Sequence, residues 1–307
     1  MFQFVTSRLL TATLVVFGVV GVVFLFIHMI PGDPVEVMLG EAASPADREA
    51  LRRALGLDQP LLEQWQDYMC RLVQLDLGTS LHSGQAITHI LSERIPATLA
   101  LTASGLTVAI LIAFPLGIIA AVRRDTRWDQ GAMAFAMLGI AIPNFWLGPL
   151  LILVFSVGLG WFPVSGMAGL GSLMLPSLTL GTALAAILSR MVRATLVEIL
   201  HEDYIRTARA KGLDEPAVIG RHALKNAMLP LITVLGLQLG ALLGGAVITE
   251  TVFGWPGLGQ LTVEAIQRRD YPVVQACVLL ISLTYVVVNT LSDLAYGWLD
   301  PRVRLHS

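Results

Sequence analysis

Between Leu9 and Ile30 the chain runs about 22 residues without a side chain charged at neutral pH. A helix of that length crosses the ~30 Å of hydrocarbon in a bilayer, where only helices and closed barrels satisfy their own backbone polar groups. Most of the run is Leu, Ile, Val and Phe, each favouring insertion by roughly 0.3–0.6 kcal/mol. It exceeds the ~7–15-residue apolar core of a secretory signal, so it reads as an uncleaved first span. Further apolar stretches follow at Ala97–Val122, Gly131–Gly158, Leu173–Met191, Ala227–Thr249 and Val273–Leu294. Leu173–Met191 is the least apolar, diluted by Pro176, Gly181 and several threonines. With 55% hydrophobic and 14% charged residues, the chain falls outside the range of ordinary soluble domains. The expected fold is an all-α membrane protein with six transmembrane helices.

Orientation follows from Lys and Arg. With the N-terminus inside, Arg8, Arg123, Arg124, Arg127, Arg190, Arg193, Arg206, Arg209, Lys211, Arg221, Lys225, Arg302 and Arg304 all face the cytoplasm. Most of the remaining basic residues lie in the long segment Pro31–Ile95, which crosses regardless of its charge, and Leu159–Ser172 carries none. The expectation is N-in/C-in. Residues 1–30 are then the N-terminus and first span, 31–96 a small helical extracytoplasmic loop and 97–299 a five-span core. The core includes a cytoplasmic loop at 192–226, and 300–307 form a cytoplasmic tail.

The cytoplasmic loop is the densest charged island. Placing Arg193, Arg206, Arg209, Lys211, Arg221 and Lys225 at bilayer depth would cost roughly 2.5–3.5 kcal/mol apiece, so this loop lies in water. Val197, Leu200, Tyr204 and Ala208 recur at helical spacing, with Glu198, Glu202, Arg206 and Arg209 on other faces. Such a loop either fixes topology or presents a short helix, ended at Gly212, to a partner.

Arg206-Thr207-Ala208-Arg209-Ala210-Lys211-Gly212, followed by Arg221-His222-Ala223-Leu224-Lys225-Asn226 and Leu229-Pro230, resembles the cytoplasmic "EAA" loop of ABC importer permeases. The likeness is to the dipeptide, oligopeptide, glutathione and nickel group, with Arg206-Thr207-Ala208 standing where the wider family has Glu-Ala-Ala. It extends through His28-Met29-Ile30-Pro31-Gly32-Asp33-Pro34, Leu55-Gly56-Leu57-Asp58-Gln59-Pro60, Asp76-Leu77-Gly78-Thr79-Ser80 and Ile142-Pro143-Asn144-Phe145-Trp146-Leu147-Gly148. Glu250-Thr251-Val252-Phe253-Gly254-Trp255-Pro256-Gly257-Leu258-Gly259-Gln260-Leu261 and Arg268-Arg269-Asp270-Tyr271-Pro272 complete it, and it reaches Asp300-Pro301.

The resemblance implies a multi-pass subunit of a bacterial inner (plasma) membrane. Its implied partners are a homologous second permease, two ATP-binding subunits and an extracytoplasmic solute-binding protein, with lipid around it. Tyr204, Ile205, Arg206, Thr207, Ala208, Arg209, Ala210, Lys211 and Gly212 would form the coupling helix that docks on an ATPase. ATP and Mg would be used by those partners, and this chain would bind no cofactor. Di- or oligopeptides are the expected cargo, with glutathione or chelated nickel as alternatives.

Within the outer loop, Ser44-Pro45 is a helix start and Gly56 a stop. A second helix is expected from Pro60 to about Leu75, with Leu61, Trp65, Tyr68 or Met69, Leu72 and Leu75 on one face. This cap is either a platform for the binding protein or a lid packed on helix ends. Pro115, Pro143, Pro149 and Pro176 predict kinks. Asn144, Gln238 and Glu250 are the candidates to border a translocation path, with Thr102, Thr107, Thr179, Thr182, Ser189 and Asn289 as lesser ones. Asp293 is the one carboxylate inside an expected span. Three glycines and a proline bar a regular helix across Glu250–Leu261, and Phe253 and Trp255 suit a headgroup region.

Catalytic patterns fail. Lys211 and Lys225 are not preceded by glycine as a phosphate-binding loop requires, and His201-Glu202 is followed at the fifth position by Ile205 rather than histidine. Cys70 and Cys277 read as free thiols, and no His or Cys cluster suggests a metal site. No basic patch points to nucleic acid. The class alternative to an importer subunit is an ATP-independent secondary transporter or channel. A large charged loop aimed at a partner has no evident use there.

Overall fold

A computed structural model describes residues 2–29, 34–39, 44–54 and 56–299. The expected helix stop at 30–33, Leu55, the tail 300–307 and the side chain of Asp293 lie outside the described residues. Regular structure among the rest is helical: α1 (Phe2–Met29), α2 (Pro34–Leu39), α3 (Pro45–Ala54), α4 (Leu61–Val73), α5 (Ile87–Val122), α6 (Arg127–Ala141) and α7 (Asn144–Leu151). Then come α8 (Leu170–Ile199), α9 (Asp203–Ala210), α10 (Glu215–Ala217), α11 (Leu224–Phe253), α12 (Leu258–Gln267) and α13 (Tyr271–Leu299). π-helical turns at Ile152–Gly158 and Val218–Ala223 extend α7 and join α10 to α11.

Four stretches are long and apolar enough to cross a bilayer: α5, α8, Glu215–Phe253 and Tyr271–Leu291 of α13. The bent pair Arg127–Ala141 and Asn144–Gly158 makes a fifth if counted as one. The expected first span falls within α1, whose apolar described part is Thr13–Leu25. The third span departs from expectation, because its halves meet at 102°. Ile142, forced out of helical backbone by Pro143, sits at φ −93, ψ 112, so a kink becomes a corner.

The chain forms two compact units. In the first, built on Thr98–Trp255 and the part of α13 from Tyr285, α8 packs against α6, α7 and α11. Its apolar window is 56% buried, against 22–33% for the other three long spans. The least apolar span is therefore the innermost one, and its small residues are the reason. A Cβ on Gly181 would stand 2.5 Å from the Gly105 carbonyl oxygen, and one on Gly117 2.6 Å from Val192. One on Gly139 would come within 3.2 Å of Ala186. Helices in lipid lack a hydrophobic force between them and associate through such close backbone packing. The polar residues that dilute α8 bond mainly to their own helix: Ser177, Thr179 and Thr182 are paired with the carbonyls of Leu173, Leu175 and Leu178, and Ser177 Oγ also lies 2.6 Å from Ser104 Oγ of α5.

The second unit comprises Ser7–Ala97 and Pro256–Thr284. Ile87 and Leu91 pack there with Leu258, Leu261, Ala265, Val273, Val274, Ala276 and Cys277. That explains why α5 begins ten residues before the expected Ala97. In the cap, the Asp47 N–H donates to Ser44 Oγ at 3.2 Å, which starts α3. Gly56, at φ +67, ends it with Gly56 N–H on Arg53 O and Leu57 N–H on Arg52 O. Trp65 and Tyr68 of α4 pack on Phe24, at ring-centroid distances of 5.1 and 6.0 Å. Leu75 does not join that face: it lies beyond the helix at φ 60 and is 83% exposed.

Glycine substitutions separate packing from propensity. Gly181→Ala is expected to destabilise by about 1–3 kcal/mol through overpacking. Gly131→Ala, with nothing within 4 Å of its Cβ, is expected to stabilise by about 0.5–1 kcal/mol. Thermal unfolding of the purified variants in one detergent checks the opposite signs.

Candidate functional site

The charged island folds as expected at its centre. α8 ends at Ile199, the chain turns through Leu200–Glu202, and α9 runs Asp203–Ala210 with Lys211 as its C-cap. Gly212 takes φ +81, where a side chain is strained, and its N–H bonds Arg209 O at 2.9 Å. The inward face differs from the expected stripe. The break at Leu200–Glu202 resets the helical phase, so Ile205 and Ala208 are buried while Tyr204 is 40% exposed. Ile205 and Ala208 enter one core with Leu196, Val218 and Ala223. Arg206, Thr207, Arg209, Ala210 and Lys211 are exposed.

Two polar ties fasten α9 to the segment leading into α11. Asn226 Nδ2 donates to Tyr204 Oη at 2.8 Å and to His222 O at 3.2 Å. Arg209 grips Glu215 through Nε at 2.7 Å and a terminal nitrogen at 3.2 Å. A helix of eight residues is marginal alone. Wedged by Ile205 and tied at both sides, α9 is joined to the ends of α8 and α11 and leaves a basic outer face exposed.

A further link at the base of the first unit escaped the sequence reading. Arg193 of α8 forks onto the buried Asp129 of α6 at 2.6 and 2.7 Å, and the Asp125 N–H donates to the same carboxylate at 3.0 Å. In the sequence Arg193 bears only on orientation and on the placing of the charged loop in water. The one available hint was an acidic residue in the first turn of α6.

At the other end of α11, Glu250 is fully buried and accepts the Thr98 hydroxyl at 2.6 Å. Phe253 and Trp255 are also buried, at 2% exposure each, rather than set as surface anchors. The expected irregular stretch is short: Gly254 caps α11 at φ +56, the Trp255 N–H returns to Glu250 O at 2.8 Å, and α12 resumes at Leu258. Asn144 opens α7, its amide nitrogen 3.5 Å from the position of a Cβ on Gly245. It thus meets α11 about one and a half turns from Glu250, whereas Gln238 is half-buried some 18 Å along the helix. Thr102, Thr107, Ser189 and Asn289 bond their own helix backbones.

In the second unit, Asp270 clasps the loop before α5. It accepts the Ser80 hydroxyl at 2.5 Å, the Leu81 N–H at 3.1 Å and the His82 N–H at 3.4 Å. The sequence phrases around Asp76–Ser80 and Arg268–Pro272 are thereby one structural feature.

With this geometry in place, residues 113–305 match the family described as the binding-protein-dependent transport system inner membrane component, and residues 1–102 its N-terminal counterpart. The chain belongs to this family. It is a multi-pass permease subunit of an ABC importer, which removes the secondary-transporter and channel alternative. The glutathione transport system permease protein GsiC of Escherichia coli K12 is 46% identical over 305 residues, covering 99% of both chains. GsiC of Shigella dysenteriae serotype 1 matches to the same extent. The inward-facing MetNI methionine ABC transporter superposes with a TM-score of 0.61 at 20% identity, covering 69% of this permease and 97% of that chain. An amino acid ABC transporter gives 0.53 at 15% identity, so both comparisons share the fold.

Removing one partner of the α6–α8 fork leaves a largely buried charge. Arg193→Ala is expected to cost about 2–3 kcal/mol, and Arg190→Ala, an exposed neighbour, within ~0.5 kcal/mol of nothing. Melting of the two purified permease variants checks the difference.

Proposed function

We propose that this permease forms half of a translocation path for glutathione in a bacterial inner membrane. It would pair with a second permease, two ATP-binding subunits that use ATP and Mg, and an extracytoplasmic binding protein. The cargo rests on one observation above all: 46% identity maintained over 99% of the length of glutathione permeases. This favours the glutathione alternative over the di- or oligopeptides placed first from the sequence.

In this reading α1 is a sixth span, both termini are cytoplasmic and the cap at 31–96 faces the binding protein. Residues Tyr204–Gly212 are the coupling helix. Its exposed Arg206, Thr207, Ala210 and Lys211 supply the face that rests on an ATPase. Closure of the ATPases displaces α9, whose Ile205 wedge and ties through Tyr204 and Arg209 carry the displacement into α8 and α11. The Asp129–Arg193 fork passes it from α8 to α6 and the bent pair. Glu250 and Asn144 border the outer part of the path and are covered when that end is shut.

The complex is tested by mild-detergent isolation from native membranes followed by reconstitution in vesicles. The expected result is co-purification of two P-loop ATPases and a second permease, with ATP-driven glutathione uptake that needs the binding protein. Uptake without ATP or partners would overturn it. Gly212→Val places a β-branched residue at positive φ, a strain on the order of 1–3 kcal/mol. It is expected to abolish uptake while the subunit still reaches the membrane; unimpaired transport by this variant would contradict the lever.

A further inference from the structure

The cap unit contains a cleft of about 710 Å³ that no role above uses. That size lies within the roughly 300–1,000 Å³ of sites that enclose small organic ligands. One wall is a single stripe of α4, on which Gln64, Asp67, Tyr68 and Arg71 follow the i, i+3, i+4, i+7 spacing of one helix face. The Asp76–Leu81 loop and the start of α13 at Gln275 line it as well, and Arg53 reaches it from the end of α3. The Asp270 clasp holds that loop through Ser80, Leu81 and His82, so this part of the lining is set before any ligand arrives.

The charges in the cleft are available. Asp67 and Arg71 stand one turn apart, yet neither side chain has an ion pair or hydrogen bond among the described residues. Among the described residues Arg53 pairs with the exposed Glu49, at 3.0 Å. Asp76 is engaged, accepting the Gly78 N–H at 2.9 Å. The Tyr68 phenol, an O–H donor at physiological pH even at its ordinary value, is pushed up to about 12 by burial. The cleft therefore offers two guanidinium forks, one free carboxylate and a phenolic donor. Guanidinium forks match carboxylates bidentately, and a lone carboxylate matches an ammonium group. Glutathione carries two carboxylates, one ammonium group and amides between them.

We infer that the cap cleft is a permease-borne binding site for a short zwitterionic peptide of the glutathione type, with Arg53 and Arg71 taking its carboxylates and Asp67 its ammonium. The identity of the ligand rests on the function proposed above. The site lies within the second unit and, in the function proposed above, holds cargo on the cap that faces the binding protein.

The test is equilibrium dialysis of radiolabelled reduced glutathione against the whole transporter complex in nanodiscs, with the binding protein left out. Saturable binding is expected, weakened about tenfold or more by Arg71→Ala and by Asp67→Asn, and less by Arg71→Lys. Both residues are exposed, and circular dichroism of the variants confirms that the helices persist. Absence of saturable binding, or equal binding by all variants, overturns the site. So does unchanged glutathione binding combined with weaker capture of the binding protein, which would make the cleft a protein-docking surface. A parallel dialysis with labelled glycylglycine separates the two proposals. Arg71-dependent dipeptide binding in a complex that neither transports nor binds glutathione keeps the cleft and rejects the cargo; glutathione uptake with no cleft binding does the reverse.

Discussion

Everything in the first unit depends on how closely α8 is approached by its neighbours. In lipid, apolar side chains gain nothing by leaving hydrocarbon for one another, so helix association needs contact dense enough to outcompete the tails. Gly181 against the Gly105 backbone, Gly117 against Val192 and Gly139 against Ala186 supply it. The buried hydroxyls along α8 fold back onto their own carbonyls, and Ser177 also meets the Ser104 hydroxyl of α5 at 2.6 Å. α8 then leads directly into the turn before α9, so the best-packed helix is also the one that runs into the charged loop.

The carboxylates buried in this permease follow one rule, although they serve different places. Asp129 has a guanidinium fork and a backbone N–H, Asp270 a hydroxyl and two N–H groups, and Glu250 a threonine hydroxyl. Each ties two segments distant in sequence, and a buried charge left without such donors would be costly. These joints, rather than the apolar surface, fix which segment sits beside which. Apolar contact is non-directional, whereas a fork or a nest of N–H groups accepts one register.

Much of this was legible in the sequence. The long apolar runs marked the four long spans and the bent pair, Ser44 and Gly56 bracketed α3, and Gly212 ended α9 because only glycine takes that backbone without strain. The centrality of α8 was hidden, since the small and hydroxylated residues that allow close packing lower its apparent affinity for lipid. The corner at Pro143 was foreseen as a kink, but its 102° angle depends on what α6 and α7 each pack against. The inward role of Ile205 was obscured by the break after Ile199, which shifts the helical phase and moves Tyr204 outward. Asp129 with Arg193, 64 residues apart, left no periodic trace at all.

The Asp270 clasp also bears on the order in which the molecule is completed. Ser80 and Asp270 are separated by 190 residues, so the loop that Ser80 anchors is made long before its partner exists. At ~5–20 residues per second, that interval is roughly 10–40 s of synthesis. Throughout it the loop before α5 must wait unfastened, while three or more later spans enter the bilayer. Closing the clasp is thus a late step of assembly, and this part of the cap's wall cannot take its final form in a nascent chain that ends before Asp270.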